Sequence, residues 1–220
     1  MRQVLDGLER SGPLQGVPQS AIAADNFLES MMTVPAIERH VLDTPGDVVA
    51  RPHANCYWVI PGRLLAGEHP GATVAAVGIA RVDALLDSGV RHLIDLTAEH
   101  EGPAPYVPML FERAAARGVR VFHDRFTIAD FDVPSATLMR TTLDVIYSSL
   151  AAGETLYLHC WGGVGRTGTV VGCLLRELGY PAGEALDLIG RKWLSMEKRN
   201  RHPHSPETPA QREYVAHWQN

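Results

Sequence analysis

Leu158-His159-Cys160-Trp161-Gly162-Gly163-Val164-Gly165-Arg166-Thr167-Gly168 is the stretch on which the reading of this chain turns. Just upstream, residues 155–159 (TLYLH) form a short apolar run of the kind that makes a buried strand. Downstream, residues 166–178 carry Val170, Val171, Cys173, Leu174, Leu175 and Leu178, so the segment reads as a helix apolar almost all round, and therefore buried. A glycine-rich loop thus joins the end of a buried strand to the start of a buried helix.

Working outward, the same alternation recurs. Residues 57–60 and 64–66 read as short strands joined by a Pro61-Gly62 turn. Residues 73–88 read as an amphipathic helix, with Thr73 as candidate N-cap and Gly89 just past its end. Strands are expected at 90–96 and 119–123, with a helix at 109–117 closed by Gly118. A helix at 135–150 starts on Ser135 and stops before Gly153, and helices at 181–193 and 209–218 complete the chain. Strands alternating with helices imply an α/β fold, a mostly parallel central sheet flanked by helices. Ligands in such sheets bind at the carboxyl ends of the strands. Residues 1–50 lack this regularity, apart from a weakly helical stretch at 24–41. They read as an N-terminal extension that packs on the domain, stays partly mobile or acts as a lid; residues 51–220 read as the main folded domain.

The junction at 160–166 has its own chemistry. Successive N–H groups of a tight glycine loop can point inward as an anion nest. The helix behind adds the positive end of its dipole. Gly162, Gly163 and Gly165 let the backbone approach an anion closely, with Trp161 and Val164 completing the loop. Arg166 brings a planar fork that matches two phosphoryl oxygens. Cys160 lies at the bottom of this cradle, where the positive field favours a nucleophilic thiolate. Such a thiolate is placed for in-line attack on phosphorus, giving a phosphocysteine. The Thr167 hydroxyl can reach the sulfur, and His159 supports the loop from beneath.

His159-Cys160-x5-Arg166-Thr167 resembles the signature of the cysteine-dependent protein tyrosine phosphatases. HCWGGVGRTGTVVGC is similar to their compact dual-specificity branch, above all to the group around the cyclin-dependent kinase inhibitor-associated phosphatase and its bacterial relatives. The resemblance spans about 57–218 and leaves out the first 50 residues. It implies a metal-independent phosphomonoester hydrolase with no cofactor. It also implies a general acid on a separate loop, since the leaving oxygen must be protonated. Ile128-Ala129-Asp130-Phe131-Asp132-Val133-Pro134 is similar to the family's Ile-x-Asp-x-x-x-Pro pattern, which makes Asp130 the acid, with Asp132 and then Asp124 as alternatives. The proline often found before that isoleucine is replaced here by Thr127. Ser205-Pro206-Glu207-Thr208-Pro209-Ala210-Gln211 resembles a run in bacterial relatives, which suggests Gln211 as a residue positioning water. The same residues also read simply as a capping box with proline at the first helical position.

Composition narrows the substrate. The chain has 220 residues, 45% hydrophobic and 20% charged, with 20 Lys and Arg against 25 Asp and Glu. An excess of acid argues against nucleic acid or an anionic membrane as partner. No stretch approaches the roughly 20 apolar residues of a membrane span. MRQVLDGLERSG has no signal-type apolar run, so a cytoplasmic location is the expectation. Three cysteines, Cys56, Cys160 and Cys173, do not make a disulfide scaffold. Cys173 reads as core; a regulatory Cys56–Cys160 disulfide has no local support. His202 and His204 have a metal-like look but read as loop. The resemblance implies a phosphorylated protein, foremost at tyrosine, or a small phosphomonoester as the partner. Between positions 161 and 165 no residue is basic, which favours a single phosphate at the reaction centre. Inositol, lipid or RNA 5′-phosphate substrates are the alternative, and an inactive phosphate-binding module the third reading.

Overall fold

The computed structural model describes Leu42, residues 49–102 and residues 104–219. Five strands form one sheet: β1 (Cys56–Ile60), β2 (Leu64–Gly67), β3 (Val90–Asp95), β4 (Phe122–Arg125) and β5 (Thr155–His159). Their order is β1-β2-β5-β3-β4. Only the β1–β2 hairpin is antiparallel; β2, β5, β3 and β4 run parallel. Six α-helices accompany them: α1 (Ala75–Asp87), α2 (Val107–Ala116), α3 (Ala136–Ala151), α4 (Gly165–Glu177), α5 (Ala182–Trp193) and α6 (Pro209–His217).

Strands β1, β2, β3 and β5 are buried on both faces because both faces are covered; β4 at the edge is exposed. On one side Tyr57, Val59, Leu64, Ala66, Ile94, Leu156 and Leu158 meet helices α3 to α6. On the other, Cys56, Trp58, Leu65, Leu93 and Tyr157 meet Val82, Leu85 and Leu86 of α1 and Leu110 of α2. Helix α4 is the most enclosed of the helices: every residue from Gly165 to Leu175 is buried. Leu42 is fully buried in the α3–α6 side of the core. The weakly helical stretch read at 24–41 lies outside the described residues.

Two of the differences from the sequence reading have a clear local cause. The strand expected at 119–123 forms at Phe122–Arg125. Val119 N–H bonds back to the Ala114 carbonyl, closing α2, so pairing with β3 begins only at Phe122 opposite His92. The start of α1 is capped at Val74 without any side-chain bond, so Thr73 is not its cap. Ser135 does cap α3, accepting from Leu138 N–H. Thr208 and Gln211 form the full capping box at α6.

Candidate active site

Sheet register brings four strand ends together. Gly67 of β2 and Asp95 of β3 both lie opposite His159 of β5, and Arg125 of β4 lies opposite Asp95. The loop from Cys160 to Gly165 leaves β5 at this edge and enters α4.

Close backbone packing shapes the loop. Gly163 has φ of 73°, and a Cβ there would fall 2.5 Å from the Gly67 carbonyl carbon and oxygen. Only glycine tolerates both the left-handed angle and that approach. The Gly163 N–H points at Cys160 Sγ from 3.3 Å, and His69 N–H binds the Trp161 carbonyl at 3.0 Å. Cys160 is 3% exposed, beneath the loop, while the Trp161 ring is 44% exposed beside it.

Arg166 closes the cradle. It is 1% exposed. Its Nη1 donates to Glu101 Oε2 at 2.8 Å and to the Ile128 carbonyl at 3.0 Å, and its Nη2 donates to Glu101 Oε1. Nη2 also lies 2.9 Å from Asp130 Oδ1. Burial opposes the guanidinium charge, but Glu101, Cys160 and Asp130 outweigh it and raise the arginine pKa. Glu101 in turn is held below the usual carboxylate range, chiefly by the Arg166 hydrogen bond. One donor of the fork, Arg166 Nε, is buried and has no hydrogen-bond partner among the described residues.

A buried polar layer supports the loop from below. His159 Nδ1 donates to the Cys160 carbonyl at 3.2 Å, which leaves Nε2 to accept from the Tyr106 hydroxyl at 2.6 Å. Asp95, fully buried, accepts from Thr97 N–H, Thr97 Oγ1 and Arg125. Burial pushes its pKa up, but His123, the field of His159 and the Thr97 bonds together hold it far below the usual range. Burial lowers the His159 pKa to about 4, against the pull of Asp95, so the ring is neutral at pH 7.

This burial sets an acid limit on stability. An unfolded histidine takes up a proton near pH 6.5, whereas folded His159 does so only near 4. Its contribution is therefore complete above about pH 6.5 and is lost as pH falls towards 4, amounting to about 3 kcal/mol. The melting temperature should fall steadily across that window. A flat profile between pH 6.5 and 4, followed by calorimetry, would contradict a neutral buried His159.

The acid loop hangs from the end of β3. Phe126 N–H binds the Asp95 carbonyl and Ile128 N–H the Leu96 carbonyl, at 2.8 and 3.1 Å. Asp132 N–H then closes a turn onto the Ala129 carbonyl at 3.1 Å. Phe131, inside that turn, has φ of 61° and a ring 58% exposed. A left-handed β-carbon residue costs roughly 1–2 kcal/mol. Of the three candidate acids, the structure brings Asp130 to Arg166. Asp132 Oδ1 instead accepts from Val133 N–H at 2.8 Å, and Asp124 Oδ2 accepts from His92 Nε2 at 2.9 Å.

The remaining expectations fall out as follows. Thr167 Oγ1 is buried and has no hydrogen-bond partner among the described residues, so the expected bond to the sulfur is not formed here. Gln211 is fully buried, and its amide binds the α6 cap and the Asp132 carbonyl. Cys56 and Cys160 belong to core clusters on opposite faces of the sheet, which separates them as disulfide partners. Cys173 is core, with its thiol pushed up above its ordinary pKa by burial. His202 pairs with Glu207 at 3.0 Å. Among the described residues no group of three His, Cys, Asp or Glu side chains could hold a metal ion. No helix among them is long and apolar enough to cross a membrane.

Glu101 and the Asp95–Tyr106 layer were not singled out from the sequence. Asp95 had a signal: a carboxylate ending the apolar strand VRHLID at the ligand edge of the sheet. Glu101 had none, because its partner lies 65 residues away.

Comparison with known proteins agrees with this geometry. Residues 53–215 match the family model described as "Swiss Army Knife protein, DSP-PTPase phosphatase domain". A 97-residue stretch, 43% of the chain, is 31% identical to an Arabidopsis thaliana protein named phosphatidylinositol 3,4,5-trisphosphate 3-phosphatase and protein-tyrosine-phosphatase PTEN1. The match spans only 22% of that relative's length. Among solved structures, the active form of Tk-PTP is 25% identical, with TM-score 0.53, covering 73% of this chain and 93% of that one. The kinase associated phosphatase KAP, solved with its catalytic cysteine replaced by serine, shares the fold at 22% identity and TM-score 0.54, over 69% and 83% of the two chains. With its cysteine and arginine buried under one glycine loop and the family match running almost from end to end of the described residues, this chain belongs to the dual-specificity-type protein tyrosine phosphatase family of cysteine-dependent phosphatases.

Proposed function

We propose that this protein hydrolyses phosphomonoesters through a phosphocysteine, with phosphotyrosine in proteins as its preferred substrate. The observation that carries the reaction is the buried Arg166 Nε, a charged donor without a partner in the cradle over Cys160. A phosphoryl oxygen is the acceptor that satisfies it. A second oxygen would take over Nη2 from Asp130, freeing that carboxyl for the leaving oxygen.

The steps then balance. The Cys160 thiolate forms the S–P bond as the P–O ester bond breaks, and Asp130 gives its proton to the departing oxygen. Water next attacks phosphorus, Asp130 takes its proton, and the S–P bond breaks to return thiolate and inorganic phosphate. The nest of loop N–H groups and Arg166 hold the equatorial oxygens in both steps. Glu101 keeps the guanidinium in plane, and neutral His159 fixes the Cys160 carbonyl.

Preference for an aryl ester rests on Phe131 and Trp161. Each directly follows a catalytic residue and exposes an aromatic ring, at 58% and 44%. Such rings offer an apolar wall to a tyrosyl group. The Arabidopsis relative, whose name includes both a lipid and a protein-tyrosine activity, supports phosphoinositides as a second reading. Against it, residues 161–165 hold no basic side chain for further phosphates. The test is kcat/KM on a phosphotyrosine peptide, the matching phosphothreonine peptide and a soluble inositol phosphate. Phosphotyrosine should lead by at least about tenfold. A lead for the inositol phosphate would replace this reading with the second.

A further inference from the structure

Residues 205–211 reach both halves of the site. Ser205 Oγ donates to the Val164 carbonyl at 2.8 Å, where the phosphate loop enters α4. Further along, Gln211 Oε1 accepts from Glu207 N–H at 3.2 Å and Thr208 N–H at 3.1 Å. Its Nε2 donates to the Asp132 carbonyl at 3.1 Å. The amide also rests on the Gly165 backbone: a Cβ on Gly165 would come within 2.7 Å of Oε1 and 2.9 Å of Nε2. One fully buried side chain therefore touches the acid loop, the first residue of α4 and the cap of α6.

A capping box accounts for only part of this. The cap needs Thr208 Oγ1 on Gln211 N–H and Gln211 Oε1 on Thr208 N–H. It does not need the Nε2 bond to a carbonyl 79 residues away. That carbonyl belongs to a turn in need of an outside hold, because Phe131 within it keeps an unfavourable left-handed backbone. Such conformations persist only where surroundings over-determine them. Besides the backbone bond from Ile128 N–H to Leu96 and the Arg166–Asp130 contact, two side chains hold carbonyls of the loop: Arg166 on Ile128 before the turn, and Gln211 on Asp132 at its end. Asp130 lies between them.

We propose that Gln211 is a positioning residue for the general acid: by holding the Asp132 carbonyl against the start of α4, it sets Asp130 over the phosphate loop. This rests on the reading of Asp130 as the acid. It differs from a role in orienting the hydrolytic water, which would act on the second step alone.

The experiment compares wild type, Gln211→Met and Thr208→Ala on phenyl phosphate and dinitrophenyl phosphate. Phenoxide must be protonated as it leaves; dinitrophenoxide need not be. Wild-type turnover of dinitrophenyl phosphate, absent in Cys160→Ser, tests the underlying reaction separately. With that in place, Gln211→Met should lose roughly 10- to 100-fold in kcat/KM on phenyl phosphate, the scale of a misplaced group. Its kcat/KM on dinitrophenyl phosphate should stay near wild type. Thr208→Ala breaks the cap but not the strut, so it should melt earlier with the wild-type ratio between substrates. Equal losses on both substrates in Gln211→Met overturn the proposal. So does a fall in kcat alone, with kcat/KM kept and a phosphoenzyme burst, the mark of a water-positioning residue. If Gln211→Met does not fold, Gln211→Glu keeps the capping oxygen and lacks the amide donor. It should show the same selective loss, and its failure to do so overturns the proposal equally.

Discussion

Cys160→Ser will turn over no measurable aryl phosphate, a loss on the order of 10⁶-fold, the scale seen when a covalent hydrolase loses its nucleophile. The sulfur is 3% exposed at the floor of the loop and takes the Gly163 N–H at 3.3 Å. Serine fits that space, so the loop is expected to stand. What changes is nucleophilicity: a serine oxygen at this place is a far weaker nucleophile towards phosphorus than the cysteine sulfur. The two properties separate experimentally. Tungstate, a tetrahedral oxyanion, should still bind Cys160→Ser in titration calorimetry, because Arg166 and the loop N–H groups are untouched. Denaturant quench of the wild type during turnover should trap a phosphorylated chain, and the variant should yield none. Turnover within tenfold of wild type would remove the phosphocysteine. Loss of tungstate binding together with turnover would point to a collapsed loop rather than a missing nucleophile.

How much of this was legible from sequence follows from which contacts are local. The strand–loop–helix around Cys160 was readable because every part of it is contiguous: the apolar run of β5, the glycines, and an α4 buried from Gly165 to Leu175. The capping box at Thr208 and Gln211 was readable for the same reason. What the residues do beyond their own segment was not. Glu101 meets Arg166 across 65 positions, Tyr106 meets His159 across 53, and Gln211 meets Asp132 across 79. Each depends on the strand order β1-β2-β5-β3-β4, which places β5 between β2 and β3 and so folds the 98–106 loop beside the nucleophile. The displaced strand β4 has a similar cause. Val119 and Val121 look like strand residues, yet Val119 N–H serves the end of α2 and only Phe122 onward pairs with β3. The exposed FHDR that does pair is an edge strand, and its pattern carries little hydrophobic signal.

Asp130→Asn will lower kcat on phenyl phosphate by roughly 10²–10⁴-fold, the contribution of a general acid. KM should not rise. Asparagine keeps the shape of the side chain and can still accept from Phe131 N–H, which reaches Asp130 Oδ1 at 3.1 Å. The loss should shrink on dinitrophenyl phosphate, whose leaving group needs no proton. Asp132→Asn and Asp124→Asn are the discriminating partners. Asp132 Oδ1 caps Val133 N–H and Asp124 Oδ2 is bound by His92, so neither carboxylate faces Arg166. Both variants should retain most of the activity and the wild-type dependence on leaving group. Should Asp132→Asn instead show the selective fall, the turn from Ala129 to Asp132 must rotate about the strained Phe131 when substrate binds, since only that motion could exchange the two carboxylates over the phosphate loop. A selective fall in Asp124→Asn has no such route, because β4 pairs Asp124 rigidly with Ile94. It would require a different approach of the substrate, from the β4 edge of the sheet.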